Sequence, residues 1–438
     1  MNSRQASTSL LDRLRLAPMW KWLLRDMGVR RWLVLLIFGV TLLGLGFAYL
    51  FVDLYRNLDL PDVASVLTLQ FLPRLLRAAL VGGLGITAIA VALIRLNRSI
   101  LKPFIRPGDQ PVADIVYQHY QRERGPKVVA IGGGTGLSTF LRGIKHYTTN
   151  ITAIVTVADD GGSSGRLRRE MGVLPPGDFR NCLAALADDE ALTTQLFQYR
   201  FGQVEGLDGH AFGNLFITAM ADVSGSFEQA LIESSRVLAI VGRILPSTLS
   251  DVRLSAEIQT EQGLRQVEGE SAITHSGGKI ERVILQPARV RPYPESIRAI
   301  LEADVIVLGP GSLYTSVLPN LLIDGIPAAL RASRALVLYV CNVATQHGET
   351  DGYSISDHVL AIERHIGQGI IEAVLANSRT DVEWQNAPPG VGKIVQAGPP
   401  SETLRIISTD VIDETYPWRH DSPKLARAVI HTLGELRP

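Results

Sequence analysis

The chain has 438 residues, a formal net charge of zero and a hydrophobic fraction of 46%. At roughly 150 residues per domain, that length holds two or three domains, or one large domain with an appendage. Neutral charge argues against a nucleic-acid partner, which calls for a basic footprint. The only cysteines, Cys182 and Cys341, have no zinc-like spacing and argue against a disulfide framework or a structural metal.

Residues 1–31 are basic, with Arg4, Arg13, Arg15, Lys21, Arg25, Arg30 and Arg31. From Trp32 to Val52 the chain is apolar and uncharged, which meets the ~20 residues that a helix needs to span a bilayer. This run is too long for the apolar region of a signal peptide, and no small-x-small cleavage site follows it. A second run, Ala78 to Ile94, sits at the short end of the spanning range, and Leu75, Leu76 and Leu96 can extend it. Arg77 and Arg95 flank it and can snorkel outward. Gly82, Gly83, Gly85 and Ala88 would let a neighbouring helix come close.

The sequence therefore predicts a transmembrane hairpin over 32–96, with a buried core helix as the alternative for either run. Arg95, Arg98, Lys102 and Arg106 follow the second run, whereas Arg56, Arg74 and Arg77 between the runs are offset by Asp53, Asp59 and Asp62. That asymmetry predicts a multi-pass protein of the cell (inner) membrane, with both termini and the C-terminal domain cytoplasmic. Leu67, Leu69, Phe71 and Leu72 of the intervening segment suit a membrane surface. Pro103, Pro107, Gly108 and Pro111 mark 97–125 as a linker to a domain over 126–438.

From Lys127 onward, short apolar runs alternate with helical patterns, which predicts an α/β domain with a mostly parallel sheet. KVVAIGG reads as a strand, LSTFLRGIKHY as a helix and ITAIVTVADD as the next strand. ADVIVLGPGS, ALVLYVCN, EAVLAN and GKIVQ continue the βα series. Between about Val252 and Gln286 the pattern becomes alternating, with glycine turns, and predicts inserted β-hairpins.

The first motif, GGGTGLSTF, lies between a strand and a helix. Gly133, Gly134, Thr135 and Gly136 would offer free N–H groups and a helix N-terminus to an anion. A plain βα turn is the bland alternative. A P-loop needs Lys where Leu137 stands. The dinucleotide fingerprint GxGxxG matches only in part, with Asp159 or Asp160 as its acidic residue.

The second motif, TVADDGGSSGRLRREMGVLPPGDFRN, carries Asp159 and Asp160 at a strand end. They can hold Mg²⁺ with phosphate oxygens, accept from a ribose, or cap a turn. Ser163 and Ser164 sit in a donor loop. Arg166, Arg168 and Arg169 are either phosphate clamps or a solvated helix face. Asp178 reads as a helix N-cap, and Arg180 and Asn181 can face a ligand.

The third motif, GHAFGNLFITAM, offers Asn214 and, with a structural role as the alternative, His210. The fourth, ADVIVLGPGSLYTSVLPNLL, repeats the logic of the first. Gly309, Gly311, Ser312 and Thr315 follow a strand end, so two turns can face one ligand at the carboxyl edge of a parallel sheet. The fifth, CNVATQHGETDGYSISDH, clusters Asn342, Thr345, Gln346, Glu349 and Thr350 after another strand. No nucleophile–base pair is recognisable, so no catalytic residue is assigned.

These segments together resemble the CofD-like superfamily, and within it the YvcK branch, the gluconeogenesis factors. The resemblance rests on GGGTGLS at 132–138, TVADDGGSSGRLR at 156–168, PPGDFRN at 175–181, HAFGNL at 210–215, LPSTLSDV at 245–252, DVIVLGPGSLYTSVLPNLL at 304–322 and TQHGETDGYSISDH at 345–358. It covers about residues 126 to 437. It implies a Rossmann-like fold that places a nucleotide diphosphate near the glycine turn. It also implies binding of a nucleotide sugar (UDP-GlcNAc type) linked to cell shape and gluconeogenic growth. On that basis the expected protein is a membrane-anchored regulator that signals to an envelope-synthesis partner; a homo-oligomer stays open. The alternative is a CofD-like transferase that moves a phospholactyl group from a nucleotide diphosphate donor with Mg²⁺. The broken fingerprint disfavours an NAD-dependent oxidoreductase. The N-terminal hairpin departs from the soluble YvcK pattern.

Overall fold

The computed structural model describes residues 29–57, 73–101, 112–188, 190–202, 206–384, 386–398 and 404–437. Contacts divide the chain into two units, Met1–Gln121 and Arg122–Pro438.

In the first unit, α1 (Val29–Asn57) and α2 (Arg74–Leu101) are helices of 29 and 28 residues. At ~1.5 Å per residue each is about 40 Å long. They contain both apolar runs of the sequence. Among the described residues, however, no single helix is long and apolar enough to cross a membrane, and the apolar helical stretch found there is Ile37–Ala48. The basic N-terminus up to residue 28 and the segment 58–72 lie outside the described residues. The expected linker 97–125 is partly helical, since α2 runs through Leu101 and α3 occupies Val112–Glu123. The reason is visible in the sequence: VADIVYQHYQRE carries apolar and polar residues at helical spacing after the last of the prolines.

The second unit begins with β1 (Val128–Gly132), α4 (Gly134–Ile144), β2 (Ile151–Val155), α5 (Gly162–Met171), α6 (Gly177–Leu186) and α7 (Glu190–Gln198). α8 (Phe212–Ser224), α9 (Phe227–Val237) and β3 (Arg243–Pro246) complete this half. An antiparallel insertion follows, made of β4 (Arg253–Thr260), β5 (Gly263–Glu268), α10 (Glu270–His275) and β6 (Lys279–Gln286). The chain then forms α11 (Pro294–Glu302), β7 (Val305–Leu308) and a π-helical turn, Leu313–Val317, which runs into α12 (Leu318–Leu321). α13 (Ile326–Ala332), β8 (Leu336–Val340), β9 (Ala344–Gln346) and α14 (Ile355–Ile366) come next. Last are β10 (Ala373–Asn377), β11 (Val391–Ile394), β12 (Arg405–Thr409) and α15 (Ser422–Leu436).

The main sheet has seven strands in the order β12-β10-β8-β7-β1-β2-β3. Every neighbouring pair is parallel. Every residue of β1, β2, β7, β8 and β10 is buried. That burial is why these strands read as unbroken apolar runs rather than alternating ones. The chain winds outward from β1 through β2 to β3. It then returns to the other side of β1 as β7 and winds outward again. This is the Rossmann-like α/β architecture, and its strand order reverses between β1 and β7.

The hairpin insertion is a three-stranded antiparallel sheet in the order β5-β4-β6, with the register Ser255↔Glu268 and Ser255↔Ile284. One assignment differs from expectation. GKIVQ is not in the parallel series; β11 pairs antiparallel with the short β9 as a separate ribbon. Edge strands β3 and β12 also emerge from segments that the periodicity left unassigned. They carry Pro246 and exposed Arg243 and Arg405, which an edge tolerates and a central strand does not.

Candidate functional site

In an open parallel sheet, ligands lie beyond the carboxyl ends of the strands, where the strand order reverses. Here the two glycine turns occupy that position. After β1, Gly133 is extended and Gly134 opens α4 with φ +66°, a region that favours glycine. After β7 comes Gly309–Ser312. The turns touch: a Cβ on Gly136 would stand 2.6 Å from the Pro310 carbonyl oxygen and 2.9 Å from Gly311 N. Only glycine allows that backbone contact.

Side chains fix the second turn. Gly311 N–H donates to Asn342 Oδ1 (3.3 Å), and Asn342 Nδ2 donates to Gly311 O (2.9 Å). Gln346 Nε2 donates to Ser312 Oγ (2.8 Å). Buried Asn320 ties the turns together by donating to Gly132 O (3.1 Å) and Ser316 O (2.8 Å).

Between these parts lies a cleft of about 470 Å³. Of the residues expected to hold a ligand, Gly133, Gly134, Thr135, Gly136, Gly311 and Ser312 line it. Asn342, Thr345 and Gln346 of the fifth motif line it too, whereas the sequence reading missed Pro388–Val391 and Trp418, Arg419 and His420. The signal was present in YPWRHD, an aromatic–Arg–His run just ahead of a helix capped by Asp421. It lies outside the glycine motifs. Arg419 is exposed, with its guanidinium carbon 5.7 Å from the Tyr416 ring centroid. His420 Nε2 lies 3.2 Å from Cys341 O, and burial pushes its imidazole down to about 4, so the ring is neutral.

Behind the glycine turn the chemistry inverts. Asp178 does not cap its own helix, whose N-cap is Pro176. Instead its carboxylate lies against Gly133 and accepts from Gly134 N–H, at the start of α4. Burial, and then the nearby Asp159 charge, lift the Asp178 carboxyl to about 7. Glu349 does the same for the second turn, accepting from Tyr314 N–H (3.3 Å) and Thr315 Oγ1 (3.2 Å). Burial lifts it to about 7 as well. Thr315 is thus turned inward onto Glu349 and is not part of the cleft lining, and neither is buried Gly309.

Burial likewise raises Asp159, whose Oδ1 accepts from Gly161 N–H (2.8 Å). Glu270 is held well above the usual carboxylate range, by burial first and then by Asp159, Asp178, Glu349 and Asp160.

Asp159 and Asp160 have different partners. Asp160 Oδ1 accepts from Ser271 N–H (3.2 Å), and its carboxylate lies against Gly269 of the inserted sheet. Asp159 faces the start of α6, with Oδ2 3.0 Å from where a Gly177 Cβ would be. Successive side chains leave an extended strand end on opposite sides, so adjacent aspartates diverge. Among the described residues, no group of three or more His, Cys, Asp or Glu side chains is arranged to hold a metal ion.

The remaining expected residues lie outside the cleft lining, and Ser163, Ser164, His210 and Asn214 among them form a buried polar network. Asn214 Nδ2 donates to Ser163 Oγ (3.1 Å) and Ser164 Oγ (3.4 Å), and Ser163 Oγ is 3.0 Å from His210 Nδ1. Arg166 donates to the Asp208 carbonyl (2.5 Å). Arg168 pairs with Asp251 and also donates to Asp159 O (3.3 Å). Asn181 Oδ1 accepts from Arg180 Nη2 (3.1 Å). Arg166 and Arg168 therefore brace loops, and Arg166, Arg168 and Arg169 are not in the lining of this cleft.

A family model described as 2-phospho-L-lactate transferase CofD matches residues 128–389. The Bacillus subtilis protein described as a gluconeogenesis factor is 46% identical over 323 residues, 71% of this chain and 99% of that one. A Nostoc sp. relative is 44% identical over 450 residues, 99% of this chain and 97% of its own length. The latter match therefore extends through the N-terminal unit. A Bacillus halodurans crystal structure, described as a member of the UPF0052 family, aligns with a TM-score of 0.63 at 43% identity. It covers 70% of this chain and 99% of that one.

Proposed function

The chain belongs to the CofD-like family, among the gluconeogenesis factors, and from that premise we propose that it is a membrane-anchored receptor for a nucleotide sugar of the UDP-N-acetylglucosamine type, acting on envelope synthesis and gluconeogenic growth. One observation carries the reading: two glycine turns meet at the point where the strand order reverses and open on a single cleft of about 470 Å³. Backbone donors of the first turn and the Arg419 guanidinium suit a diphosphate.

Mg²⁺ fits beside that ligand. A diphosphate placed near Asp178, Asp159 and Glu270 meets like charge, and a hard cation between the two relieves it. The oxygen donors present are of the type that Mg²⁺ takes. Asp159 and Asp160 are the ligands expected from the sequence; Asp160 is engaged by Ser271 N–H, and Asp159 and Asp178 would act on the ion as buried charge behind the turn, since neither lines the cleft. The ion's charge would let the cleft accept an anion at neutral pH.

α1 and α2 supply the anchor in this account. Large apolar side chains along them stand exposed, among them Leu35 (57%), Phe38 (60%) and Leu43 (63%). Side chains like these suit lipid better than water. The C-terminal domain is then cytoplasmic, where nucleotide sugars and the expected envelope-synthesis partner are found.

The description of the matching family model favours a second reading, transfer of a phospholactyl group from a nucleotide diphosphate donor. Full-length protein in detergent, incubated with UDP-N-acetylglucosamine, GDP and Mg²⁺, separates the two. The receptor reading expects thermal stabilisation by the UDP-sugar with Mg²⁺ and no loss of ligand by chromatography. Consumption of the nucleotide would overturn the receptor reading in favour of an enzyme, and no stabilisation by any nucleotide would refute the nucleotide site itself.

A further inference from the structure

Resting on the nucleotide reading, we propose that Trp418 is the platform for the nucleobase, and that the ligand lies with its base toward Trp418 and Pro388–Pro389 and its diphosphate on the glycine turns. The cleft has two chemically different ends. Around Gly133–Gly136 and Pro310–Ser312 its wall is backbone and hydroxyl. Toward the β9–β11 ribbon and the chain ahead of α15 it gains planar and apolar groups, Val343, Pro388, Pro389, Val391 and Trp418, with Arg419 and His420 following Trp418 in the wall.

The β9–β11 ribbon makes that second end rigid. Thr345 Oγ1 accepts from Lys393 N–H (3.0 Å) and His347 N–H donates to Gly390 O (3.0 Å). Trp418 is packed within an aromatic cluster. Trp384 and Tyr416 meet it at centroid distances of 6.3 and 5.7 Å and interplanar angles of 67° and 66°. Neither ring lies parallel to it.

The opposite direction is closed to a base by chemistry. Beyond the first turn stand Asp178, Asp159 and Glu270, a set of buried carboxylates. They line no part of the cleft and offer no flat apolar face on which a base can stack. Base–aromatic stacking works at the other end and tolerates different bases. The buried Trp418 Nε1–H has no hydrogen-bond partner among the described residues.

The test uses the full-length protein in detergent with Mg²⁺. UDP-N-acetylglucosamine and inorganic pyrophosphate are titrated by calorimetry, and indole fluorescence is followed in parallel. The expected result for Trp418→Ala is a nucleotide affinity weaker by about ten- to a hundredfold, from the loss of one stack. Pyrophosphate affinity should stay unchanged. Trp418→Phe should keep the nucleotide affinity within about threefold, since a ring is retained, but lose the fluorescence quench that the wild type shows on binding. That second variant decides the matter if the alanine variant does not fold. Equal nucleotide affinity in Trp418→Ala, equal weakening of both probes, or an unchanged quench in Trp418→Phe overturns the base assignment alone. If neither probe binds the wild type, the nucleotide reading falls and this inference with it.

Discussion

The two sides of the glycine turn at Gly133–Gly136 are built from opposite materials. On the β7 side an open cleft is lined by backbone amides, hydroxyls, amide side chains and an arginine. On the β2 side Asp159, Asp178 and Glu270 are packed out of water behind the same turn. Asp178 already accepts from the N-terminus of α4, and Glu349 from that of the π-helical turn. A helix N-terminus favours negative charge, but the chain can supply that charge itself. Whether such an end serves a ligand depends on which donors are left over, and here those face the β7 side.

The strongest way to break this contrast is Gly136→Val. A side chain there meets the Pro310 carbonyl, so the two turns must separate. Nucleotide binding should drop by more than about a hundredfold, the scale of several kcal/mol, with the circular dichroism spectrum of a folded domain retained. Unaltered binding would show that contact between the turns is incidental.

Next in size is Arg419→Ala. A charge-assisted hydrogen bond contributes about 1.5–3 kcal/mol, so affinity for a diphosphate should weaken by roughly ten- to a hundredfold. Titration calorimetry checks this, and an unchanged affinity would move the diphosphate away from Arg419.

Asp178→Asn probes the closed side. In the unfolded chain an aspartate ionises near 4, whereas the Asp178 carboxyl in the fold is lifted to about 7. Between those values only the unfolded state gives up the proton, so the group's contribution to stability falls as pH rises from about 4 to about 7. The amide cannot ionise and can still accept from Gly134 N–H. The variant should therefore melt several degrees above the wild type at pH 8 and much nearer to it at pH 5, at roughly 2–4 °C per kcal/mol. Scanning calorimetry at both pH values reads the difference. A lower melting temperature at pH 8 would mean that a cation or partner already neutralises Asp178.

The smallest effect sharpens the contrast by its absence. Arg166→Ala removes a donor to the Asp208 carbonyl on the loop behind the site. Nucleotide affinity should stay within about threefold, a change of less than ~0.7 kcal/mol. A larger loss would bring the arginine run back into the ligand site.

Legibility from sequence followed the same divide. The βα series, the antiparallel insertion and both glycine turns could be read because each leaves a local signature: unbroken apolar runs, alternation, or glycines at a strand end. What failed was orientation. Asp159 and Asp160 looked like a pair, but one extended residue turns the second away. Asp178 looked like a cap, and it is one, for a helix more than forty positions earlier. Thr315 looked like a donor to ligand and is engaged by Glu349. Trp418 and Arg419 reach the cleft from a segment with no glycine motif, brought there by β12 and the docking of α15. Such long-range placements leave little trace in residue spacing.

The central claim is that the open side of the glycine turn holds a nucleotide diphosphate only when the charge of the closed side is balanced. Calorimetric titration of UDP-N-acetylglucosamine into the full-length protein at pH 8, with and without Mg²⁺, tests it most directly. The account expects binding with Mg²⁺, little or none without it, and recovery of Mg²⁺-free binding in Asp178→Asn. Binding that ignores both Mg²⁺ and Asp178, or none under any condition, would contradict it.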